Sequence, residues 1–141
     1  MANNTGSAHW QGTIKDGGGK ISTASGALKD LPYGFKSRFE DGPGTNPEEL
    51  IGAAHAGCFS MALSVMLTEA GATDIDIQTT SKITLKKETQ GFSITDAALT
   101  STVHAGGLDK AEVERLAGEA EKNCPVSKVL KANITLDLTV A

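Results

Sequence analysis

Two cysteines, Cys58 and Cys124, are the residues of this chain best suited to redox chemistry. Cys58 lies in the middle of a long apolar stretch, and Cys124 directly precedes a proline that can start a short helix. A helix N-terminus favours a thiolate over a thiol. These placements indicate a reactive thiol pair, with Arg38 and Glu48 upstream as candidate charged partners.

Other interpretations of these residues remain open. Most buried cysteines are small core residues, and Cys58 could be one of them. His55 and Cys58 share one helical face and could bind zinc together with Cys124, although zinc sites usually take four ligands. We interpret His55, His9 and His104 as structural or solvent-facing residues. The chain contains no Ser-His-Asp set, GxSxG elbow or dinucleotide fingerprint.

The element that must position Cys58 is a helix from Asn46 to Gly71. Asn46 is a capping residue, Pro47 occupies the first helical position, and glutamates follow in the first turn. Gly71 can close the helix in a left-handed conformation. The residues between these ends are apolar on almost every face, which predicts a helix buried on all sides.

The apolar part of this helix, Leu50–Leu67, approaches the ~20 residues that a membrane span needs. His55, Ser60 and Ser64 interrupt it, and no cluster of Lys or Arg flanks it. The rest of the chain alternates like a soluble β protein. We therefore interpret the stretch as a core helix and expect no membrane partner.

Composition and length limit the classes of protein that the chain can belong to. Its 141 residues predict one domain over residues 1–141, with a core built from aliphatic side chains because only 4% of residues are aromatic. A net charge of −4 and a pI of about 5.3 argue against a nucleic-acid partner. Two lone cysteines without a secretory signal predict a reducing, cytoplasmic location.

The segments before the helix predict short extended elements. Residues 8–14 and 20–24 form strands around the glycine-rich turn KDGGGK. Residues 31–35 are predicted to form a turn, and residues 36–40 a short extended piece that carries Arg38.

The segments after the helix predict more strands and two further helices. Residues 75–85 alternate as a half-buried strand, Gly91 makes a turn, and the next strand has a bulge near Thr95-Asp96. Asp109 caps a surface helix, Pro125 starts a short one, and residues 133–140 alternate as the last strand.

This order of elements predicts an α+β fold. One sheet of this size can cover only one side of a helix that is apolar all round. A second copy of the chain can cover the other side, which gives an intertwined homodimer as a hypothesis. Small residues would allow two such helices to approach closely: Gly52, Ala53, Ala54, Ala56 and Gly57.

Three segments of the chain resemble the OsmC/Ohr family, and its OsmC-type members most closely: PYGFKSRFE, GTNPEELIGAAHAGCFSMAL and NCPVSKVLKANITLDL. The resemblance implies an intertwined homodimer with antiparallel strands around long central helices and active sites at the subunit interface. It implies thiol-dependent reduction of organic hydroperoxides, and less efficiently of hydrogen peroxide, without haem, flavin or metal. It also implies that a dithiol reductant in a lipoyl-linked system restores the thiols.

The same resemblance implies a role for each candidate site residue. Cys58 resembles the peroxidatic cysteine and Cys124 the resolving one, while Arg38 resembles the thiolate-stabilising arginine and Glu48 its carboxylate partner. The chemistry is consistent with this, because burial raises the pKa of a mid-helix thiol and a cation must offset that effect. Attack on a peroxide then gives a sulfenic acid at Cys58, and Cys124 condenses with it to a disulfide. Leu, Met and Phe side chains are expected to form an apolar pocket for the peroxide.

Two further expectations follow from the sequence. A competing hypothesis is a non-catalytic dimeric binding module, whose cysteines would react slowly and equally with alkylating agents. In addition, Glu48 and Cys58 lie ten residues apart on one helix, roughly 15 Å along its axis. We therefore expect Cys58 of one subunit to be served by Glu48, and by Arg38, of its partner.

Overall fold

The computed structural model describes residues 1–141, which form two compact units, Met1–Leu50 and Ile51–Ala141. Each unit contains one three-stranded sheet. The long helix begins at the end of the first unit and continues through the second. That residues 1–141 act as a single domain stays a prediction.

The first unit opens with an antiparallel hairpin of β1 (Gly6–Gln11) and β2 (Gly18–Thr23), which confirms the predicted strand pair with earlier boundaries. Strand β3 (Leu31–Tyr33) pairs antiparallel with β2. The predicted turn over residues 31–35 is therefore wrong for its first three residues, which form this strand. Pro32 lies within a strand of only three residues at the sheet edge, where a missing N–H is tolerated.

Residues Phe35–Phe39 form a short helix, α1, so the predicted extended piece over residues 36–40 is wrong. The Ser37 hydroxyl accepts a hydrogen bond from the N–H of Gly34 at 2.9 Å and donates to its carbonyl oxygen at 3.1 Å. Phe35 and Phe39 lie one turn apart with ring centroids at 5.2 Å. These local contacts close one helical turn in a segment whose alternation favours a strand.

Helix α2 (Pro47–Glu69) forms where the sequence predicts it. The Asn46 side chain accepts a hydrogen bond from the N–H of Glu49 at 2.8 Å, which confirms the predicted N-cap. Gly71 follows the helix with φ of +90°, the left-handed conformation that ends a helix with a glycine.

Within the second unit, α2 has one buried and one exposed side, so the single chain does not bury it on all sides. Phe59, Leu63 and Leu67 are fully buried, whereas Met61 is 72% and Val65 50% exposed. By length and composition alone α2 could also cross a membrane. Its exposed apolar side is unusual for a helix in contact with water.

One of the small residues of α2 contributes to packing within the chain. A Cβ atom on Gly52 would lie 2.7 Å from the carbonyl oxygen of Ser81, so only glycine allows the helix to approach that strand so closely. A Cβ atom on Gly57 would meet nothing within 4 Å. The predicted role of small residues in contact between two helices stays a prediction.

The second sheet is built on a long antiparallel hairpin of β4 (Thr73–Glu88) and β5 (Gly91–Gly106). Thr84 pairs with Asp96 and Leu85 with Ile94, so Thr95 is the extra residue of the bulge that the sequence predicts. Strand β6 (Asn133–Val140) pairs with β5 in parallel. The second sheet is therefore mixed, and the expected antiparallel pairing is wrong for β6, which runs parallel to β5.

Two helices connect β5 to β6, namely α3 (Lys110–Asn123) and α4 (Pro125–Val129). Asp109 caps α3 by accepting a hydrogen bond from the N–H of Glu112 at 2.8 Å, as predicted. The buried stripe of α3 packs with α2 and β5 in the core of this unit. The fully or almost fully buried residues of this core are Phe59, Leu63, Leu67, Leu99, Val103, Val113, Leu116, Ala117, Ala120 and Cys124.

Candidate active site

The second unit brings Cys58 and Cys124 together as free thiols. Cys58 lies on α2 and is partly exposed, whereas Cys124 is fully buried at the start of α4. The two side chains are close enough for Cys124 to raise the pKa of Cys58, and the N–H of Val126, two residues after Cys124, lies 3.5 Å from the Cys58 sulfur.

The surroundings of Cys58 in a single chain favour the thiol over the thiolate. Burial raises the pKa of Cys58, the N–H of Val126 at 3.5 Å opposes this rise, and the neighbouring Cys124 thiol raises the pKa further. None of these groups is a cation. The expectation that burial alone raises the pKa of this cysteine is confirmed, and reactivity at neutral pH requires a positive charge from elsewhere.

Cys124 caps α4 through its sulfur atom. The N–H of Ser127 donates to Sγ at 3.4 Å, and the Cys124 thiol donates to the Ser127 hydroxyl oxygen at 3.0 Å. Pro125 occupies the first position of α4, as the sequence predicts. The cap fixes the side chain of Cys124, so its sulfur atom is held in place before any reaction occurs.

His55 is fully buried and has a partner at each ring nitrogen. Its Nδ1 lies 2.8 Å from the Ser81 hydroxyl of β4, and its Nε2 lies 2.9 Å from the Ser127 hydroxyl of α4. Burial lowers the pKa of His55, which favours the neutral ring. With both nitrogens engaged by hydroxyl groups, His55 has the structural placement predicted for it rather than that of a zinc ligand.

The first unit brings Arg38 and Glu48 together. Nη2 of Arg38 donates to Oε1 of Glu48 at 2.7 Å, and Nε donates to Oε1 and Oε2 at 3.2 Å and 3.3 Å. Glu48 is largely buried, with 10% of its side chain exposed, while 38% of the Arg38 side chain is exposed. The carboxylate thus fixes the guanidinium through two of its nitrogens and leaves part of it accessible.

The same unit contains an aromatic cavity beside this guanidinium. The cavity has a volume of about 220 Å³ and is lined by Trp10, Ile14, Tyr33, Gly34, Phe35, Arg38 and Phe39. The Trp10 and Tyr33 rings meet edge to face at 5.6 Å, and the Arg38 guanidinium lies 5.4 Å from the centroid of the Phe39 ring. Aromatic walls with one cation suit an apolar molecule with a polar end.

The four residues singled out from the sequence therefore form two pairs, one in each unit. The sequence analysis did not identify Ser81 and Ser127 as partners of His55, nor the aromatic lining of the cavity. Ser127 lies three residues after the capping Cys124, which is the spacing of a capping interaction and could have indicated it. The structure groups no three His, Cys, Asp or Glu side chains that could hold a metal ion.

Comparison with known proteins gives consistent similarities over most of the chain. Residues 40–139 match the family model described as OsmC-like protein. The chain is 57% identical over 132 residues to the peroxiredoxin OsmC of Escherichia coli (strain K12), covering 94% of this chain and 92% of that protein. It is 33% identical over 122 residues to the organic hydroperoxide resistance protein OhrB of Bacillus subtilis (strain 168), covering 85% and 87%.

Solved structures show the same arrangement of elements. The crystal structure of the organic hydroperoxide resistance protein OhrB of Bacillus subtilis aligns with a TM-score of 0.67 at 27% identity, over 97% of this chain and 98% of that one. An OsmC-like protein of unknown function from Vibrio cholerae aligns with a TM-score of 0.79 over 98% and 99% of the two chains. At 15% identity this second likeness shows the fold alone. The predicted α+β fold is confirmed.

Proposed function

The chain belongs to the OsmC family, and we propose that it is a cysteine-based peroxidase that reduces organic hydroperoxides through Cys58 and Cys124. The observation that carries the proposal is the placement of two free thiols side by side, with partly exposed Cys58 against the short helix that buried Cys124 caps. Relatives named peroxiredoxin and organic hydroperoxide resistance protein support the same chemistry. We also propose that the protein is located in the cytoplasm, as the sequence analysis predicts.

Exposure decides which thiol reacts first. Cys58 is partly accessible, whereas Cys124 is completely buried, so a peroxide can reach only Cys58 directly. The Cys58 thiolate attacks the terminal oxygen of the hydroperoxide, the O–O bond breaks, and the alcohol leaves with a proton. Cys58 becomes a sulfenic acid, which Cys124 attacks to form a disulfide and release water.

Arg38 is the cation proposed to make Cys58 a thiolate. Arginine stays positively charged at neutral pH and stabilises the ionised form of a nearby thiol. Glu48 holds the guanidinium in one orientation while leaving it partly accessible. An orientation fixed in advance lets the positive charge act on the reacting sulfur without further ordering of the side chain.

We propose that each site is shared between two chains of a homodimer. Glu48 and Cys58 lie roughly 15 Å apart along α2, so an arginine held by Glu48 cannot easily reach Cys58 of its own chain. The exposed apolar side of α2, which carries Met61 and Val65, supports coverage by a second copy. Two antiparallel α2 helices would place the start of one beside the middle of the other.

The aromatic cavity favours an organic hydroperoxide over hydrogen peroxide. Its walls can bury the apolar part of a substrate, while Arg38 at the same cavity can meet the hydroperoxide group. A small, polar peroxide gains nothing from aromatic walls. A dithiol would then reduce the disulfide, and a lipoyl-linked dithiol is the reductant that we propose.

Single-turnover chemistry tests this proposal directly. Fully reduced protein is mixed with less than one equivalent of cumene hydroperoxide, and the remaining peroxide and free thiols are measured over time. Each peroxide consumed should remove two thiols and yield a Cys58–Cys124 disulfide, seen by peptide mapping. Unchanged peroxide together with slow, equal alkylation of both cysteines would instead support the non-catalytic binding module.

A further inference from the structure

A continuous chain of hydrogen bonds leads from Cys124 into the interior of the second unit. The Cys124 thiol contacts the Ser127 hydroxyl at 3.0 Å, and this hydroxyl contacts Nε2 of His55 at 2.9 Å. Nδ1 of His55 contacts the Ser81 hydroxyl at 2.8 Å. The first three of these side chains are buried, so water does not compete for their protons.

The direction of these bonds follows from the donors and acceptors available. The Cys124 thiol donates to the Ser127 oxygen, which leaves the Ser127 hydroxyl hydrogen free to point at Nε2 of His55. We assign the tautomer in which Nε2 of the neutral imidazole accepts from the Ser127 hydroxyl and Nδ1–H donates to Ser81. The two bonds between the Cys124 sulfur and His55 then both point toward Nε2.

From this geometry we propose that Ser127 and His55 form a proton relay that activates Cys124 for disulfide formation. The inference rests on the proposed function and deepens it, because it concerns the second chemical step of the same site. Cys124 must lose its proton to attack the sulfenic acid of Cys58, since the thiolate is the nucleophile. Ser127 contacts the reacting sulfur, and His55 acts through Ser127 as a positioning residue.

The relay balances atoms and electrons. The thiol proton of Cys124 moves to the Ser127 oxygen as the hydroxyl proton of Ser127 moves to Nε2 of His55. The Cys124 sulfur then attacks the Cys58 sulfur, the S–O bond breaks, and hydroxide leaves. The leaving hydroxide takes up the proton that His55 returns through Ser127 and becomes water, which restores the neutral imidazole. The sulfur of Cys124 is oxidised, and the sulfenic sulfur of Cys58 is reduced.

The position of Cys124 makes such a relay useful. Its sulfur is fully buried, so no solvent base reaches it directly. The N–H of Ser127, at 3.4 Å from Sγ, can stabilise the thiolate once the proton has left. Burial lowers the pKa of His55, which keeps its ring neutral and able to accept a proton at neutral pH.

A purely structural role predicts different behaviour. The same hydrogen bonds tie α2 to β4 and α4, and their loss could destabilise the unit without any specific effect on chemistry. Loss of stability would leave the two chemical steps of the folded protein unchanged or alter both. A relay on Cys124 affects only the second step, after peroxide has been consumed.

The test separates these two steps in rapid-mixing experiments. Reduced protein is mixed with cumene hydroperoxide, peroxide loss reports the first step, and quenched samples report sulfenic acid and disulfide by mass spectrometry. Ser127→Ala and His55→Asn should consume peroxide within about twofold of the wild-type rate and form the disulfide about 100-fold more slowly, which is typical of lost acid–base assistance. Sulfenic acid should accumulate in both variants.

Two further variants serve as controls. Ser127→Thr keeps the hydroxyl group and should restore disulfide formation to near the wild-type rate. Ser101→Ala removes another buried serine of the same unit, one bonded to Thr79 rather than to His55, and should leave both steps unchanged. Thermal unfolding of every variant shows which ones are folded at the assay temperature.

Each outcome is decisive for one of the two proposals. Normal disulfide formation in Ser127→Ala and His55→Asn, or equal slowing of both steps, would overturn the relay while leaving the peroxidase proposal in place. If Ser127→Ala and His55→Asn do not fold, a folded Ser127→Thr variant that consumes peroxide normally but forms the disulfide about 100-fold more slowly than the wild type would also overturn it. A wild-type protein that consumes no peroxide would overturn the proposed function itself.

Discussion

The two units of the chain hold two different sets of the residues in the proposed mechanism. Residues Met1–Leu50 hold a charged pair, Arg38 with Glu48, beside an aromatic cavity with an accessible guanidinium. Residues Ile51–Ala141 hold an uncharged set, in which Cys58, Cys124 and His55 are linked through hydroxyl groups and backbone N–H groups. One unit offers charge near the surface, and the other offers nucleophiles largely out of water.

Neither unit alone contains all of the residues of the proposed mechanism. In the second unit, burial and the neighbouring thiol keep the Cys58 pKa above its ordinary value, which makes the thiol a poor nucleophile. The first unit has a cation but no cysteine. In the proposed mechanism, the reactive state combines the Cys58 thiol with the Arg38 guanidinium. The predictions below test that combination, from the largest expected effect to the smallest.

Replacement of the thiols of the second unit should have the largest effect. Cys58→Ser should abolish peroxide reduction, because the charged pair cannot attack an O–O bond by itself. Cys124→Ser should allow a single turnover and leave a sulfenic acid at position 58, detected by a sulfenic-acid trap and mass spectrometry. Normal turnover by Cys58→Ser would show that a residue other than Cys58 reduces the peroxide.

Removal of the cation of the first unit should slow the reaction without abolishing it. Arg38→Ala should raise the Cys58 pKa and reduce the rate of peroxide consumption roughly 10- to 1000-fold at neutral pH, because an opposite charge shifts a pKa by about 1 to 3 pH units. The pH dependence of Cys58 alkylation measures this effect.

Arg38→Lys is the matched variant for this change. An ammonium group keeps the charge but cannot contact both carboxylate oxygens of Glu48 in the same planar geometry, so only partial recovery is expected. Identical alkylation profiles for wild type and Arg38→Ala would show that Arg38 does not act on Cys58.

Mixed dimers test whether the two residues come from different chains. Cys58→Ser and Arg38→Ala homodimers are each impaired, but a dimer containing one chain of each has one site with both residues intact if the site is shared. Random exchange should then restore about a quarter of the wild-type activity, since half of the dimers carry one complete site of two.

The control for this experiment is subunit exchange itself. Exchange is followed with differently tagged chains, so that the fraction of mixed dimers is known before activity is measured. If mixed dimers form and remain as inactive as their parents, Cys58 is served by the arginine of its own chain.

The smallest effect concerns stability rather than activity. Burial lowers the pKa of His55 in the folded protein below its ordinary value of 6.5, so the unfolded chain binds a proton more readily. The contribution of His55 to stability is therefore complete above pH 6.5 and is lost as the pH falls from there toward the folded-state pKa, by at most about 1.4 kcal/mol per pH unit.

Urea unfolding between about pH 5 and pH 7.5 measures this loss. His55→Asn should be less stable throughout but should show a weaker decline of the free energy of unfolding with falling pH. Parallel curves for the two proteins would mean that His55 does not couple protonation to folding in the second unit.

The elements with strong periodicity and clear end signals could be predicted from the sequence. Asn46 and Gly71 mark the ends of α2, Asp109 marks the start of α3, and the change of phase near Thr95 marks the bulge. Each of these signals depends on residues adjacent in sequence. The family resemblance could also be recognised from the sequence, because its motifs are continuous segments.

The features that escaped prediction depend on contacts between distant residues or on very short segments. Helix α1 is one turn long and is fixed by Ser37 against the alternation of its own sequence. The partners of His55 come from β4 and α4, and nothing beside His55 in the sequence indicates them. Even the predicted pair of Arg38 and Glu48 rested on the resemblance, since their spacing alone does not imply contact.

The parallel pairing of β6 with β5 has a consequence for the order of assembly. Two strands that run in the same direction cannot be joined by a tight turn, so the chain must cross from the end of β5 back to the start of β6, and Cys124 lies in that crossover. The hairpin of β4 and β5 can form from neighbouring residues, whereas the crossover is anchored at its far end only when the last strand docks. The position of Cys124 in the core thus depends on pairing between strand residues that are far apart in the sequence.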